Sequence, residues 1–403
     1  MSAVDHYRLH LPDFISSDLC QELEFVHKSC STVGYRPNVF STTLSHLIAT
    51  NSSHLILPLV PIRERVKEKV EEFFGCEFEL FIEFTGLISW CTGASIGWHS
   101  DDNRPYLKQR HFAAVCYLNS HGRDFKGGLF HFQDAEPATV VPVAGDVLIY
   151  TADDRNIHSV DEITEGERIT LTMWFTRDHA HDEDAKLLNL LSQSRELVDK
   201  DREHDSYLPC PGPSNMYWFS PYSTSQSGFD IRWARVYILG YDMYRSGSKS
   251  FSSVSSPPLD TSELHDMFIR VTRGREIFNE EFINSLHALQ VLQFHYWKAS
   301  YLCESIGKEF GPPTTLMKQL RKNTKGLEFL FSGDCELAQR VFGSVNKRPA
   351  SNWVQFSATV SMWEDYVKAL RRALVNSLPY WMNHQMIFVI PQESNVVVTR
   401  KKC

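Results

Sequence analysis

The sequence predicts an α+β chain: a jelly roll of short antiparallel strands buttressed by N-terminal helices, followed by a mostly α-helical C-terminal region. Three observations predict it. Apolar residues keep helical spacing in two stretches before Glu77. From Glu77 to Phe175 the period becomes that of strands, in short β-branched or aromatic runs separated by Gly, Asp and Asn. After Arg177 helical patterns return and dominate.

The elements follow in order. The opening reads β–α, and "SSDLCQELEFVHKSC" sets Leu19, Leu23 and Val26 on one helical face with Ser17 or Asp18 as the cap. In "PIRERVKEKVEEFFG", Pro61 suits a first turn, Ile62, Val66, Val70 and Phe73 form the stripe, and Gly75 ends the helix. The strand runs are "FELFIEFTGLISW", "HFAAVCYLN", "GLFHF", "ATVVPV", "DVLIY" and "RITLTMWF". "DAKLLNLLSQSRELV" is helical, and a Pro/Gly/Ser-rich connector follows, carrying Tyr217, Trp218, Phe219 and Tyr222. Much of 230–380 reads helical, as in "WEDYVKALRRALVNSL". The expected organisation is a catalytic domain at 1–180, a helix and Pro/Ser/aromatic connector at 181–229, and a mostly helical domain of unknown role at 230–403.

Composition narrows the functional classes. The chain has 403 residues, 42% apolar and 22% charged, the proportions of a soluble globular protein. No apolar run approaches the ~18 residues of a membrane span, and the first residues lack the pattern of a secretory leader. The nine cysteines are scattered and form no C-x-x-C pair. This argues against a disulfide framework or a thiolate zinc site and for a reducing compartment, cytosol or nucleus. Residues 1–180 hold 15 Lys/Arg against 25 Asp/Glu, so this half disfavours nucleic acid as a partner.

One segment carries chemistry. In "GWHSDD", His99 and Asp101 stand two residues apart, His158 follows 59 residues later in "NIHSVDE", and Arg168 opens the last strand run. An H-x-D…H set matches the two-histidine, one-carboxylate facial triad that holds Fe(II) and leaves positions open for substrate and dioxygen. An arginine one strand further on suits a dicarboxylate, because its planar fork pairs bidentately with a carboxylate. His111 and His131 belong to no H-x-D; His131, between Phe130 and Phe132, reads as polar lining of the strand core. There is no P-loop, G-x-G-x-x-G or nucleophile elbow.

These motifs resemble the prolyl 4-hydroxylase group of Fe(II)- and 2-oxoglutarate-dependent dioxygenases, whose fold is a double-stranded β-helix. The resemblance runs over roughly residues 8–178. It is carried by "LPDFISSDLCQEL", "GWHSD", "RHFAAVCYLN", the Gly-Gly turn of "KGGLFHF", "PVAGDVLIY" and "NIHSVDEITEGERITLTMWF". It implies His99, Asp101 and His158 as iron ligands, and Arg168 as the grip on the distal carboxylate of 2-oxoglutarate, assisted by the Tyr117 hydroxyl. Thr172 and Trp174 match positions that line or pack the site. The implied reaction consumes dioxygen, hydroxylates a C–H bond of a prolyl-type residue in a peptide, and releases succinate and CO2, with ascorbate as an accessory. Collagen-type members carry Lys where this chain has Arg168; Trp90 and Ile96 stand where the group commonly has aromatics, Tyr in the first case. Asp101 favours hydroxylation, because halogenating relatives lack that carboxylate. Two other readings stay open: an oxygenase acting on a small metabolite or nucleobase, and a catalytically silent jelly-roll scaffold.

Overall fold

The computed structural model describes residues 8–33, 36, 38–50, 52–199, 290, 293–294, 297–298 and 353–387. The aromatic connector around Tyr217 and most of the helical patterns between 230 and 352 lie outside the described residues.

Among the described residues, twelve strands form two antiparallel sheets. The major sheet contains β1 (Arg8–Leu11), β2 (Thr32–Val33), β3 (Val39–Thr43), β4 (Phe81–Cys91), β6 (Arg110–Tyr117), β10 (Val147–Thr151) and β12 (Ile163–Thr176). Its order is β1-β10-β6-β12-β4-β3-β2, with β7 (Phe125–Gly127) paired to the start of β12. The minor sheet contains β5 (Ile96–His99), β8 (Phe130–Phe132), β9 (Thr139–Val140) and β11 (His158–Val160), in the order β5-β11-β8-β9.

Strand alternation divides the major sheet into two faces. Ile169, Leu171, Met173 and Phe175 of β12, with Phe112, Ala114 and Cys116 of β6, are buried against a helical layer. Tyr117, Leu148 and Tyr150 point the other way, into a second core shared with Phe130, Phe132 and Val160 of the minor sheet. Arg168, Thr170, Thr172 and Trp174 have the same inward parity. The described residues therefore stack as helices, major sheet and minor sheet, with a polar-lined interior between the sheets.

The helical layer is built from α1 (Ser17–Cys30), α2 (Leu44–Ala49), α3 (Val60–Phe74) and α4 (Glu183–Asp199). The α1 cap is Ser16, whose hydroxyl accepts from the Leu19 amide, one residue ahead of the predicted Ser17 or Asp18. In α3, Pro61 occupies the first turn and Gly75 closes the helix at φ 58°, while Ile62, Val66 and Val70 are fully buried. A fifth helix, α5 (Trp353–His384), joins the same layer: Trp363, Val367, Leu374 and Trp381 share one core with α1, α3 and β12. Phe25 of α1 meets Phe294, Trp297 and Tyr366 in an aromatic cluster with ring centroids 5.1–6.1 Å from Phe25. Among the described residues, no helix is long and apolar enough to cross a membrane.

Candidate metal centre

β5 and β11 bring the two histidines together. Their register pairs His158 with His99 but Val160 with Ile96, so β5 carries one extra residue. Regular alternation would put Ile96 and His99 on opposite faces. The bulge turns both inward, Ile96 onto the inner core and His99 to within 4.3 Å of the His158 ring, and it leaves Trp98 57% exposed. Asp101 follows in the turn after β5, and its Oδ1 lies 3.9 Å from His158 Nε2. One ligand atom each from His99, Asp101 and His158 falls within 4.8 Å of the others, the one such cluster of three among the described residues.

Both imidazoles are held in the state a metal needs. His99 Nδ1 lies 2.8 Å from the Gly97 carbonyl, and His158 Nδ1 lies 2.9 Å from the Asn156 carbonyl. A carbonyl only accepts, so each Nδ1 carries a proton, and in the neutral ring it is Nε2 that offers its lone pair. Burial holds the His158 pKa below the usual imidazole range despite the nearby Asp101 carboxylate, keeping the ring neutral. Phe130 stacks on His158 at 4.9 Å with an interplanar angle of 12°. His158 is buried at the floor and His99 is half exposed, so the cluster opens on one side.

The interior also holds a cation that meets no carboxylate among the described residues. Arg168 is 3% exposed and faces Tyr117, whose ring centroid is 5.3 Å from the guanidinium carbon. Arg168 Nε and the Tyr117 hydroxyl are both buried with no hydrogen-bond partner among the described residues. Burial lowers the Arg168 pKa, opposed by the neutral phenols Tyr117 and Tyr150 rather than by a carboxylate. An unpaired buried charge is costly, so the arrangement fits an anionic ligand. The Gly-Gly turn makes room for the Arg168 stem. A Cβ on Gly127 (φ +74°) would stand 2.0 Å from the Glu162 carbonyl oxygen, and one on Gly128 (φ +65°) 3.2 Å from Arg168 Cδ.

The other sequence-predicted residues divide. Thr172 lies on the inward row, its hydroxyl 3.3 Å from that of Thr170. Trp174 packs on Phe84, carries the Arg110 guanidinium 3.7 Å above its ring, and has a buried indole N–H with no partner among the described residues. Trp90 is the cross-strand partner of Arg168 in register, and it packs with Ile88, Phe125 and Ile163. His131 does not line the interior. Phe130 and Phe132 point inward, so alternation sends His131 to the outer face, where it bonds Asp161 and Thr139. His111 is half buried at the start of β6 and accepts from the Arg177 amide. Sequence reasoning missed Tyr150, whose hydroxyl donates to Asp101 Oδ2 at 3.1 Å, although "DVLIY" places it on the face of Leu148.

Residues 87–176 match the family model of the 2OG-Fe(II) oxygenase superfamily. A rat prolyl 3-hydroxylase 1 is 26% identical over 44% of this chain and 29% of its own length. A rat 2-oxoglutarate and iron-dependent oxygenase domain-containing protein 3 is 27% identical over 30% of this chain and 41% of its own. Among solved structures, a Pseudomonas putida prolyl-4-hydroxylase aligns over 43% of this chain and 94% of that one, at 18% identity and a TM-score of 0.35. The chain thus spans under a third of the prolyl 3-hydroxylase length, 29%. Residues 87–176 of this chain thus resemble the 2OG-Fe(II) oxygenase superfamily, and the chain is similar in sequence to part of a prolyl 3-hydroxylase.

Proposed function

We propose that this chain is an Fe(II)- and 2-oxoglutarate-dependent dioxygenase that hydroxylates a prolyl-type C–H bond in a peptide. The observation that carries the proposal is the joint presence of the His99–Asp101–His158 cluster and an unpaired buried Arg168 in one interior. Two imidazoles and one carboxylate are the donor set of the facial triad, and their Nε2 lone pairs are already freed by backbone carbonyls. A silent scaffold has no use for a desolvated guanidinium without a counter-ion. The prolyl target rests on the relatives, whose names are prolyl 3-hydroxylases.

In this reading each residue has a task. His99, Asp101 and His158 hold the iron, which supplies dioxygen activation coupled to oxidative decarboxylation of the keto acid. Arg168 grips the far carboxylate with a charge-assisted pair, and the Tyr117 hydroxyl donates to the same group. Thr172 lines the cosubstrate channel, and Trp174 with Arg110 walls its outer end. The two sheets form the double-stranded β-helix, with 1–180 as the dioxygenase unit, and ascorbate would serve as an accessory reductant. The scattered free thiols suit a cytoplasmic or nuclear setting.

Incubation of the iron-loaded protein with 2-oxoglutarate, followed by succinate, tests this. We expect Fe(II)-dependent succinate formation that rises with a prolyl-containing peptide and a +16 Da product. His158→Ala is expected to lose iron and turnover together, since it removes one of three donors. Iron content and succinate at wild-type levels in that variant would refute the assignment.

A further inference from the structure

We propose that Tyr150 is a positioning residue that sets which oxygen of Asp101 is offered to the metal. The inference rests on the metal-centre reading above. Tyr150 is 2% exposed and lies on the inward face of β10, in register with the small side chain of Ala113 on β6. Its hydroxyl donates to Asp101 Oδ2 at 3.1 Å, while Oδ1 is the oxygen turned toward His158 Nε2. One carboxylate oxygen is thereby occupied by the protein and the other is left in the ligand cluster. A carboxylate held this way contributes one donor, and the remaining positions around the ion stay available to small molecules.

The ring is fixed as firmly as the hydroxyl. Tyr150 meets His158 edge-on at 5.1 Å and Phe132 at 5.5 Å, and lies 5.8 Å from Phe130, which itself stacks on His158. The phenol therefore touches two of the three candidate ligands, one by a hydrogen bond and one by packing. No other side chain donates to Asp101 Oδ2 among the described residues. Removing the hydroxyl leaves a carboxylate oxygen without its donor in a nearly dry site, and rotation of the side chain becomes its route to a new partner. Outer-shell donors of this kind are worth roughly 10–100-fold in metal affinity.

Cobalt(II) titration of the metal-free protein, followed by its visible absorption, reads the effect without catalysis. Melting temperatures of the metal-free forms are measured alongside. Tyr150→Phe keeps the ring and deletes the donor; we expect Co(II) affinity to fall roughly 10–100-fold while the metal-free melting temperature stays near wild type. Phe132→Leu, which loosens the packing against Tyr150 but leaves the hydrogen bond, is expected to bind Co(II) nearly as wild type. The inference is overturned if Tyr150→Phe binds like wild type, whether or not its melting temperature drops. It is also overturned if Phe132→Leu weakens binding equally, because packing then suffices. His158→Ala separates the two readings: wild-type Co(II) binding in that variant removes the metal centre itself, whereas its loss together with normal binding by Tyr150→Phe removes Tyr150 alone.

Discussion

Replacing Arg168 by Met should move two measurements in opposite directions. The guanidinium is 3% exposed, its Nε has no partner among the described residues, and its close neighbours are phenols. In the ligand-free protein that cation is a liability. Exchanging a buried ion for an apolar side chain of similar volume is often neutral or stabilising by about 1–4 kcal/mol, and the Met stem fills the space beside Gly128. The ligand-free melting temperature should therefore hold or rise. With 2-oxoglutarate present the sign reverses, because the variant loses a buried charge-assisted pair worth about 2–5 kcal/mol, roughly 30-fold or more in affinity. Arg168→Lys keeps the charge but loses the fork and should fall between the two. Calorimetric titration of 2-oxoglutarate into Ni(II)-loaded protein gives the affinity, and a thermal scan of metal-free protein gives the stability. An unchanged cosubstrate constant in Arg168→Met would mean that another group holds the carboxylate. A sharp drop in ligand-free stability would mean that Arg168 is a structural cation after all.

Two further predictions follow from the helical layer. Burial pushes Glu183 up to about 7, against the pull of Arg63, because Arg63 is one cation facing two carboxylates, Glu183 and Asp184. A raised acid pKa means that the folded state binds the extra proton, so this contribution is fully present below about pH 4.5 and is lost as pH rises through about 7. The loss is on the order of 3 kcal/mol. Glu183→Gln should match wild type near pH 5 and exceed it near pH 8 in urea unfolding; identical pH profiles would refute this. Truncation at about residue 205 removes Phe294, Trp363, Val367 and Trp381 from the core they share with α1 and α3. Expressed alone, that fragment should aggregate, as size-exclusion chromatography would show; a soluble, monodisperse fragment would show that the oxygenase unit needs no later helix.

Legibility followed the range of the interactions involved. α3 could be read because its signals are local: Pro at the start, an apolar stripe, Gly at the end. The long strands β4, β6 and β12 were legible for a similarly local reason, runs rich in β-branched and aromatic residues that alternate with polar ones in the RITLTM part of β12. β5 and β11 were not, since four and three residues carry no period and one of the pair is bulged. His131 shows a different failure. "FHF" already implied that His131 opposes its two phenylalanines, and the inward pull of Phe130 and Phe132 decided which face it took. The clustering of His99, Asp101 and His158 could be anticipated from H-x-D…H, but the carbonyls of Gly97 and Asn156 that bond the two imidazoles leave no mark in a sequence. Arg63 and Lys67 lie beside the apolar stripe of α3 and are both buried, because acids distant in the chain fold over Arg63 and Glu79 folds over Lys67, pairings that local sequence does not show.

The two buried arginines among the described residues, on opposite sides of one sheet, differ in what answers their charge. Arg63 reaches β4 from the helical side and spends every nitrogen: Nε on the Thr85 hydroxyl, NH1 on the Ile387 carbonyl, NH2 on Glu183 and Asp184. Asp184 also accepts from the Ile387 amide, so the network ties α3, α4 and the end of α5 together. Its charge is more than neutralised within the fold. Arg168 rises from the neighbouring strand β12 on the inner side and meets two phenols and no carboxylate among the described residues. Both side chains pay a similar desolvation cost, so the difference lies in what answers it. Where the chain provides the counter-charge, the arginine holds the fold together. Where it provides none among the described residues, yet places the guanidinium in the same interior as two imidazoles and a carboxylate, the proposed reading assigns the counter-charge to a ligand whose far end Arg168 would grip.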